Sequence, residues 1–512
     1  MTRRLLMDAG RVLSALLVIG AIAACDDPAD PEPQKDPSQD DPPPIQLVIE
    51  SPPEGAALSV SADVVLRASA QAADLGMLPD DSVFWTVDGT PLPPGRTHTI
   101  RLEAGQHQLQ VLARWGTRTA QASRTVSVAG PPIGSVLWRG NWDGEPVQGR
   151  GGLSAGVDGT LYAHDFFGLW AFDPGGSDRW SFTGTTTGFE HPPTVLEDGS
   201  VVIGTEYGVA AVGPSGTMLW EYRLPDRYGS EHVHGGVAVG PDGTIYFGSE
   251  NENGVVVALW PNGQERWVTL VQPADTPAYR FFPAPVIVGD TLLVLVTTHR
   301  WFVAAVDARD GAVKWRLDMR LRPGTPAPLS APAAPAVADN GDVVVALHGS
   351  LVRVDPAGQI VWRKDYYGPL GGVPAYSNAL AISGGRIYVP MGDGGLEIYD
   401  GNGARVARYG PGSANSILGG VTLGRNDVAY VLHADTLRSY APDGTLRYAT
   451  HIGGNAGTGM YYVQVPVIGA DGTVYVRSTD GGIVAVADTV GPAVNAEWPT
   501  MGGGSSRWGR RH

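Results

Sequence analysis

The sequence predicts an all-β protein: a small β-sandwich followed by an eight-bladed β-propeller, with seven blades as the alternative if weak repeat units merge. Three observations carry this. One loose phrase recurs, as "DGTLYAHDFFGLWAFDPGGSDRW" at 158–180, "DGTIYFGSENENGVVVALWPNGQERW" at 242–267 and "DGTVYVRSTDGGIVAVAD" at 471–488. Each copy closes on an aromatic residue or its register equivalent, at Trp138, Trp180, Trp220, Trp267, Trp315, Trp362, Ala407, Tyr448 and near Trp498. The chain also holds 70 Gly and 41 Pro, a density that suits short strands joined by tight turns.

The elements follow in chain order. "MTRRLLMDAGR" is a charged start, and residues 12–24 carry no charge, a hydrophobic core too short to span a bilayer. Residues 1–24 are therefore predicted to be a signal peptide. Cys25, the single cysteine of the chain, follows directly, so no disulfide forms within the chain and no thiolate zinc cluster is available. Residues 25–45 form an acidic, Pro-rich linker: "DDPADPEPQKDPSQDDPPP" has no apolar area to bury and its charges repel one another. Fully extended, such a tether reaches roughly 60 Å at about 3.1 Å per residue.

Residues 46–129 read as short alternating runs, among them "ADVVLRASAQ", "SVFWTVDGTPL" and "QHQLQVLARWG", broken by Gly, Pro or Asp. That spacing predicts a sandwich. Residues 133–512 carry the repeat. Runs such as "GVVVAL" and "FVAAVD" are apolar without alternation, so a sheet built from them needs cover on both faces. Radial packing of successive four-stranded sheets supplies that cover and leaves only short edges. Either "SVLWRG" at 135–140 or "NAEWPTMGGG" at 495–504 is expected to complete a mixed sheet across the seam. The indoles of Trp180, Trp220, Trp267, Trp315 and Trp362 are predicted to stack between neighbouring blades.

Several resemblances extend this reading. "IAAC" at 22–25 resembles the lipobox of bacterial lipoproteins, which implies cleavage before Cys25, a diacylglycerol on its thiol, and a protein held on a membrane in the bacterial cell envelope. The 46–129 segment, with its "VFWTVDGTPL" Trp strand, resembles bacterial immunoglobulin-like domains of the PKD type, which serve mostly as spacers. "AAVDARDGAVKW" at 304–315 resembles the tryptophan-docking motif of pyrroloquinoline-quinone-type (PQQ) propellers, and "EWPTMGGGSSRWG" is similar to a segment common at their ends. The PQQ-like repeat superfamily contains quinoprotein dehydrogenases and the lipoprotein subunit of the outer-membrane β-barrel assembly machinery.

A formal charge of −16 argues against a nucleic-acid partner. No HExxH motif occurs, and the Cys pair frequent in quinoprotein dehydrogenases is missing from a chain with one Cys. No catalytic, cofactor-binding or metal residue is assigned. "HVH" at 232–234 reads as polar loop histidines. The connections between repeats are rich in aromatics, and propeller topology brings such connections to one end of the ring. Tyr228, His232, Tyr279, Phe281, Tyr366, Tyr367, Tyr376, Tyr461 and Tyr462 are the candidate binding face for a protein or glycan partner. The expected function is a non-catalytic envelope scaffold, lipid-anchored through Cys25. The alternative is a PQQ- and Ca²⁺-dependent dehydrogenase or a glycan-active enzyme.

Overall fold

The computed structural model describes residues 42–507 except 60–62, 103, 141–151, 165–167, 184–190, 229–232, 234, 250–253, 272–283, 297–301, 320–333, 348–349, 366–378, 392, 411–417, 434, 454–463, 479–481 and 505–506. Cys25 and the segment before residue 42 lie outside the described residues. The chain divides into two compact units, Met1–Gly130 and Pro131–His512.

The first unit is a two-sheet sandwich. One sheet is formed by Gln46–Ser51, Val64–Ala72, Gly76–Met77 and Thr97–Ile100. The other runs Ala57–Ser59, Arg118–Ala129, Gly105–Trp115, Val83–Val87 and Thr90–Pro91 across its width. The period of two puts every second side chain inside. Leu66, Ala68 and Ala70 from one sheet thus meet Trp85, Leu109 and Val111 from the other.

Among the described residues the second unit holds eight four-stranded antiparallel sheets. Sheets 1 to 7 span residues 153–182, 194–223, 238–270, 286–318, 336–365, 381–409 and 418–451, each a simple up-and-down meander. Sheet 8 takes three strands from residues 467–486 and its outer strand, Val136–Gly140, from the other end of the unit. Trp138 there pairs opposite Ala485. The Val136–Gly140 strand therefore completes the mixed sheet, while Trp498 goes elsewhere: its backbone exchanges two hydrogen bonds with Ile382, and its ring is buried in the core of sheets 4 to 6. It is not a ninth closing aromatic.

Sequence chemistry explains the repeat locally. The first turn of many sheets is an Asp–Gly pair in which the carboxylate accepts the backbone N–H two residues on, as in Asp198 with Ser200 (2.9 Å), Asp242 with Thr244 (3.0 Å) and Asp471 with Thr473 (3.0 Å). The middle strands are buried on both faces, as Val201–Thr205, Gly208–Val212 and Val255–Leu259 show at every position. Apolar clusters fill each seam in turn. The last one joins Val467, Tyr475 and Ile483 of sheet 8 to Leu153, Leu161 and Ala163 of sheet 1, so the ring is closed and the architecture is a β-propeller.

Candidate functional site

Three features of the ring bear on function: its seams, its inner strands, and the end where the inter-sheet connections leave it.

At the seams, indoles reach across to the next sheet. Trp180 donates Nε1–H to Pro214 O (2.7 Å), Trp220 to Pro261 O (3.1 Å), Trp267 to Ala308 O (3.1 Å), Trp315 to Pro356 O (3.0 Å) and Trp362 to Gly401 O (2.9 Å). Trp138 does the same across the closing seam, to Pro174 O at 3.1 Å. Each ring lies over a turn glycine of that next sheet. At Gly358, whose φ is +84°, an added Cβ would sit 2.7 Å from the Trp315 ring, so the turn and the close approach both demand Gly. In sheet 6 the register position holds Ala407, opposite Ile398, and the ring comes instead from Tyr409. Its hydroxyl donates to Pro442 O (2.6 Å) and its ring lies over Gly444. Sequence spacing pointed to Ala407; the signal that finds Tyr409 is an aromatic two residues on, where a strand again faces the same side.

A segment after sheet 8 reaches the inner strands of the ring. After sheet 8 the chain crosses the first turns of sheets 7 and 6, Arg425–Asp427 and Gly384-Gly385, with Arg425 N–H donating to Gly491 O (2.9 Å) and Gly385 N–H to Glu497 Oε1 (2.8 Å). It then turns into the ring. Arg507 is fully buried there, and burial pushes its guanidinium down to about 9, so it is still a cation at neutral pH. It donates to Thr500 Oγ1 (3.0 Å), Met501 O (3.0 Å) and Leu153 O of sheet 1 (3.1 Å), while its own carbonyl accepts from Thr194 Oγ1 of sheet 2 (3.3 Å). A cavity of about 390 Å³ remains beside this segment, lined by Thr422, Ile468, Glu497 and Thr500 among others. A second buried polar group lies near the seam of sheets 8 and 1. Arg477 donates to His164 O (2.6 Å), and burial, aided by the Arg477 charge, pushes the His164 imidazole down to about 3. Such a histidine is neutral across the physiological range and does not serve as a proton carrier there.

Among the described residues no group of three or more His, Cys, Asp or Glu is placed to hold a metal ion. Among the described residues Thr500, Met501 and Arg507 lie against the inner strands of the ring.

At the end where connections leave the ring, Tyr228 is the one predicted binding residue that the structure describes. His232, Tyr279, Phe281, Tyr366, Tyr367, Tyr376, Tyr461 and Tyr462 lie outside the described residues. Tyr228 stands in a short turn after sheet 2, packs against the core of sheets 2 and 3, and carries the Arg227 guanidinium 4.6 Å from its ring centre. Beside it, Arg223 stacks on Tyr207 at 5.8 Å, and Leu224 N–H donates to Tyr207 O (2.8 Å). Tyr222 donates its hydroxyl to Glu265 Oε2 (2.7 Å); burial and that carboxylate raise its pKa. Tyr207, Arg223 and Arg227 were not singled out in the sequence, because a Glu–Tyr turn between two strands looks like any other.

The fold and the seam geometry define the class: a β-propeller of PQQ-like repeats. The chain belongs to the family described as outer membrane protein assembly factor BamB, whose model matches residues 122–300 and 205–396. The penicillin-binding protein C-terminus family matches residues 36–123. No curated protein matches the chain in sequence. Among solved structures, BamB from Moraxella catarrhalis is similar with a TM-score of 0.54 and 15% identity, over 69% of this chain and 98% of that one. A catalytically inactive virginiamycin B lyase from Staphylococcus aureus gives 0.45 and 11%, over 69% and 98%. The C-terminal WD40 domain of Sif2 gives 0.49 and 12%, over 70% and 99%. The likeness to the Moraxella protein shows the fold. Among the described residues no helix is long and apolar enough to cross a membrane.

Proposed function

We propose that this chain is a lipid-anchored, non-catalytic scaffold of the bacterial cell envelope whose propeller holds a protein partner in outer-membrane protein assembly. The observation that carries the reading is the tyrosine–arginine surface at the connection end of sheets 2 and 3. Tyr207, Arg223, Arg227 and Tyr228 are the residue types that dominate binding energy at protein interfaces, and stacking already orders them, so little conformational entropy is left to lose on docking. Membership of the BamB family supports the assembly role, and the lipobox-like "IAAC" before Cys25 supports the anchor.

Photocrosslinking in cells tests the surface. A photoreactive residue at Tyr207 or Tyr228 is expected to form one discrete adduct with a component of the outer-membrane assembly machinery, and Arg227→Glu to abolish it. If the same adduct forms only from Leu446, an exposed outer-strand position, the binding surface lies elsewhere and the proposal for this end of the ring fails. The anchor is tested separately: labelled fatty acid is expected on the parent chain and absent from Cys25→Ser.

A further inference from the structure

The five-stranded sheet of the first unit turns one face outward. The strands Val83–Val87, Gly105–Trp115 and Arg118–Ala129 contain no Asp or Glu, in a chain that has 52. Strand register sets amides against hydroxyls across this face: Gln106 opposite Ser127, Gln108 opposite Thr125, Gln110 opposite Ser123. Along the strand, successive outward side chains are roughly 6.8 Å apart, twice the rise per residue. Among the described residues these side chains make no hydrogen bond to one another or to any other group, so each amide presents a donor and an acceptor to the solvent. At the far end of the face Phe84 lies opposite Leu112, and the exposed Arg114 guanidinium sits 5.9 Å from the Phe84 ring centre.

We infer that this face is a docking surface for a polysaccharide of acetamido sugars. Side-chain amides match an acetamido group with one donor and one acceptor each, hydroxyls of Ser and Thr match sugar hydroxyls, and the Phe84–Leu112–Arg114 end offers a flat surface for the C–H side of a sugar ring. Charge agrees. A chain of formal charge −16 repels polyanions, but these three strands add no carboxylate and supply one guanidinium, and Asp88 at their edge is engaged by His107 and the Gln108 N–H, so the face accepts a neutral or carboxylate-bearing glycan. The same composition argues against a protein or a second copy. Serine is depleted at protein interfaces, and sheet-on-sheet stacking between copies needs an apolar face that this one lacks. The surface belongs to the sandwich and is independent of the tyrosine–arginine surface of the propeller.

Co-sedimentation of the full-length protein in detergent tests it, with chitin, purified peptidoglycan sacculi and cellulose as the three solids. Retention on chitin and sacculi, or on sacculi alone, with at least tenfold less on cellulose, is the expected result; sacculi alone assigns the selectivity to a carboxylate met by Arg114. Gln110→Glu, which puts a carboxylate at the centre of the face, is expected to lower retention at least tenfold, with Gln121→Ala, opposite Leu112, giving a smaller loss. Leu446→Ala, an exposed position on the propeller, is expected to bind as the parent does. Equal retention on cellulose, no retention on any solid, or unchanged retention of a folded Gln110→Glu protein overturns the inference. So does light scattering that shows a dimer dissolved by Gln110→Glu, because the occupant is then a second copy.

Discussion

The seam between sheets 4 and 5 and the seam between sheets 7 and 8 perform one task with different parts. At the first, the Trp315 ring covers Gly358 and its N–H meets Pro356 O at 3.0 Å. At the second, Tyr448 covers Gly134, and a buried ion pair is added: Arg447 grips Asp488 with two bonds of 2.7 and 2.8 Å, and Tyr430 donates to the same carboxylate at 3.0 Å. The Arg447 charge and these hydrogen bonds hold the Asp488 carboxyl below its usual range even though burial opposes it. The two seams also differ in chain order. Sheets 4 and 5 are consecutive, whereas the outer strand of sheet 8 comes from residues 136–140, and Thr450 Oγ1 reaches Gly134 O at 2.5 Å across more than 300 residues of sequence. Bringing such distant segments together costs more loop entropy than joining neighbours, and the bonds of Thr450 to Gly134 O and of Arg139 to His451 O (2.9 Å) are directional contacts that offset it.

The largest expected effect sharpens that contrast. Asp488→Ala leaves Arg447 buried without its partner and is expected to cost about 3–5 kcal/mol, read by denaturant unfolding. Trp315→Ala, at the seam of sheets 4 and 5, is expected to cost about 3 kcal/mol, held toward the low end by the half-exposure of the ring. If the two variants melt alike, the closing seam has no special burden and the comparison fails.

Acid probes the other closing contact, between sheets 8 and 1. The folded His164 pKa lies below that of an unfolded histidine, so between about pH 3 and 6.5 the unfolded chain binds the extra proton and stability falls as pH falls. From pH 6.5 to 5 the loss is about 2 kcal/mol, and His164→Leu is expected to remove that part of the slope. Unfolding curves at pH 7 and pH 5 for both proteins decide it. The smallest effect is Tyr409→Phe, which deletes one hydrogen bond to Pro442 O and keeps the ring on Gly444. About 1 kcal/mol is expected, and a loss as large as that of Trp315→Ala means the hydroxyl rather than the stacked ring holds that seam.

Much of the ring was legible because its signals are local. The Asp–Gly turns, the doubly buried strands and the indoles at 40- to 50-residue spacing each follow from the chemistry of a few adjacent residues. The substitution of Tyr409 for an indole at Ala407 was not, because spacing counts positions while a seam selects whichever ring reaches the next glycine. Nor was the approach of Arg507 to the inner strands, since that segment repeats nothing and its partners, Leu153 and Thr194, lie more than 300 residues away. Of the aromatic binding face, Tyr228 is described, and its neighbours Tyr207 and Arg223 come beside it through pairing between strands.

By itself, then, the sequence determined the meander unit, its turns and the need to cover both faces of every sheet, because backbone preference and hydrophobic pattern act within one repeat. Tertiary structure alone decided which end of the propeller lends the last strand, that Trp498 is core and not docking, and that Arg507 meets Leu153 and Thr194. Those outcomes rest on contacts between residues hundreds apart, which no local pattern encodes and which form only when the ring shuts.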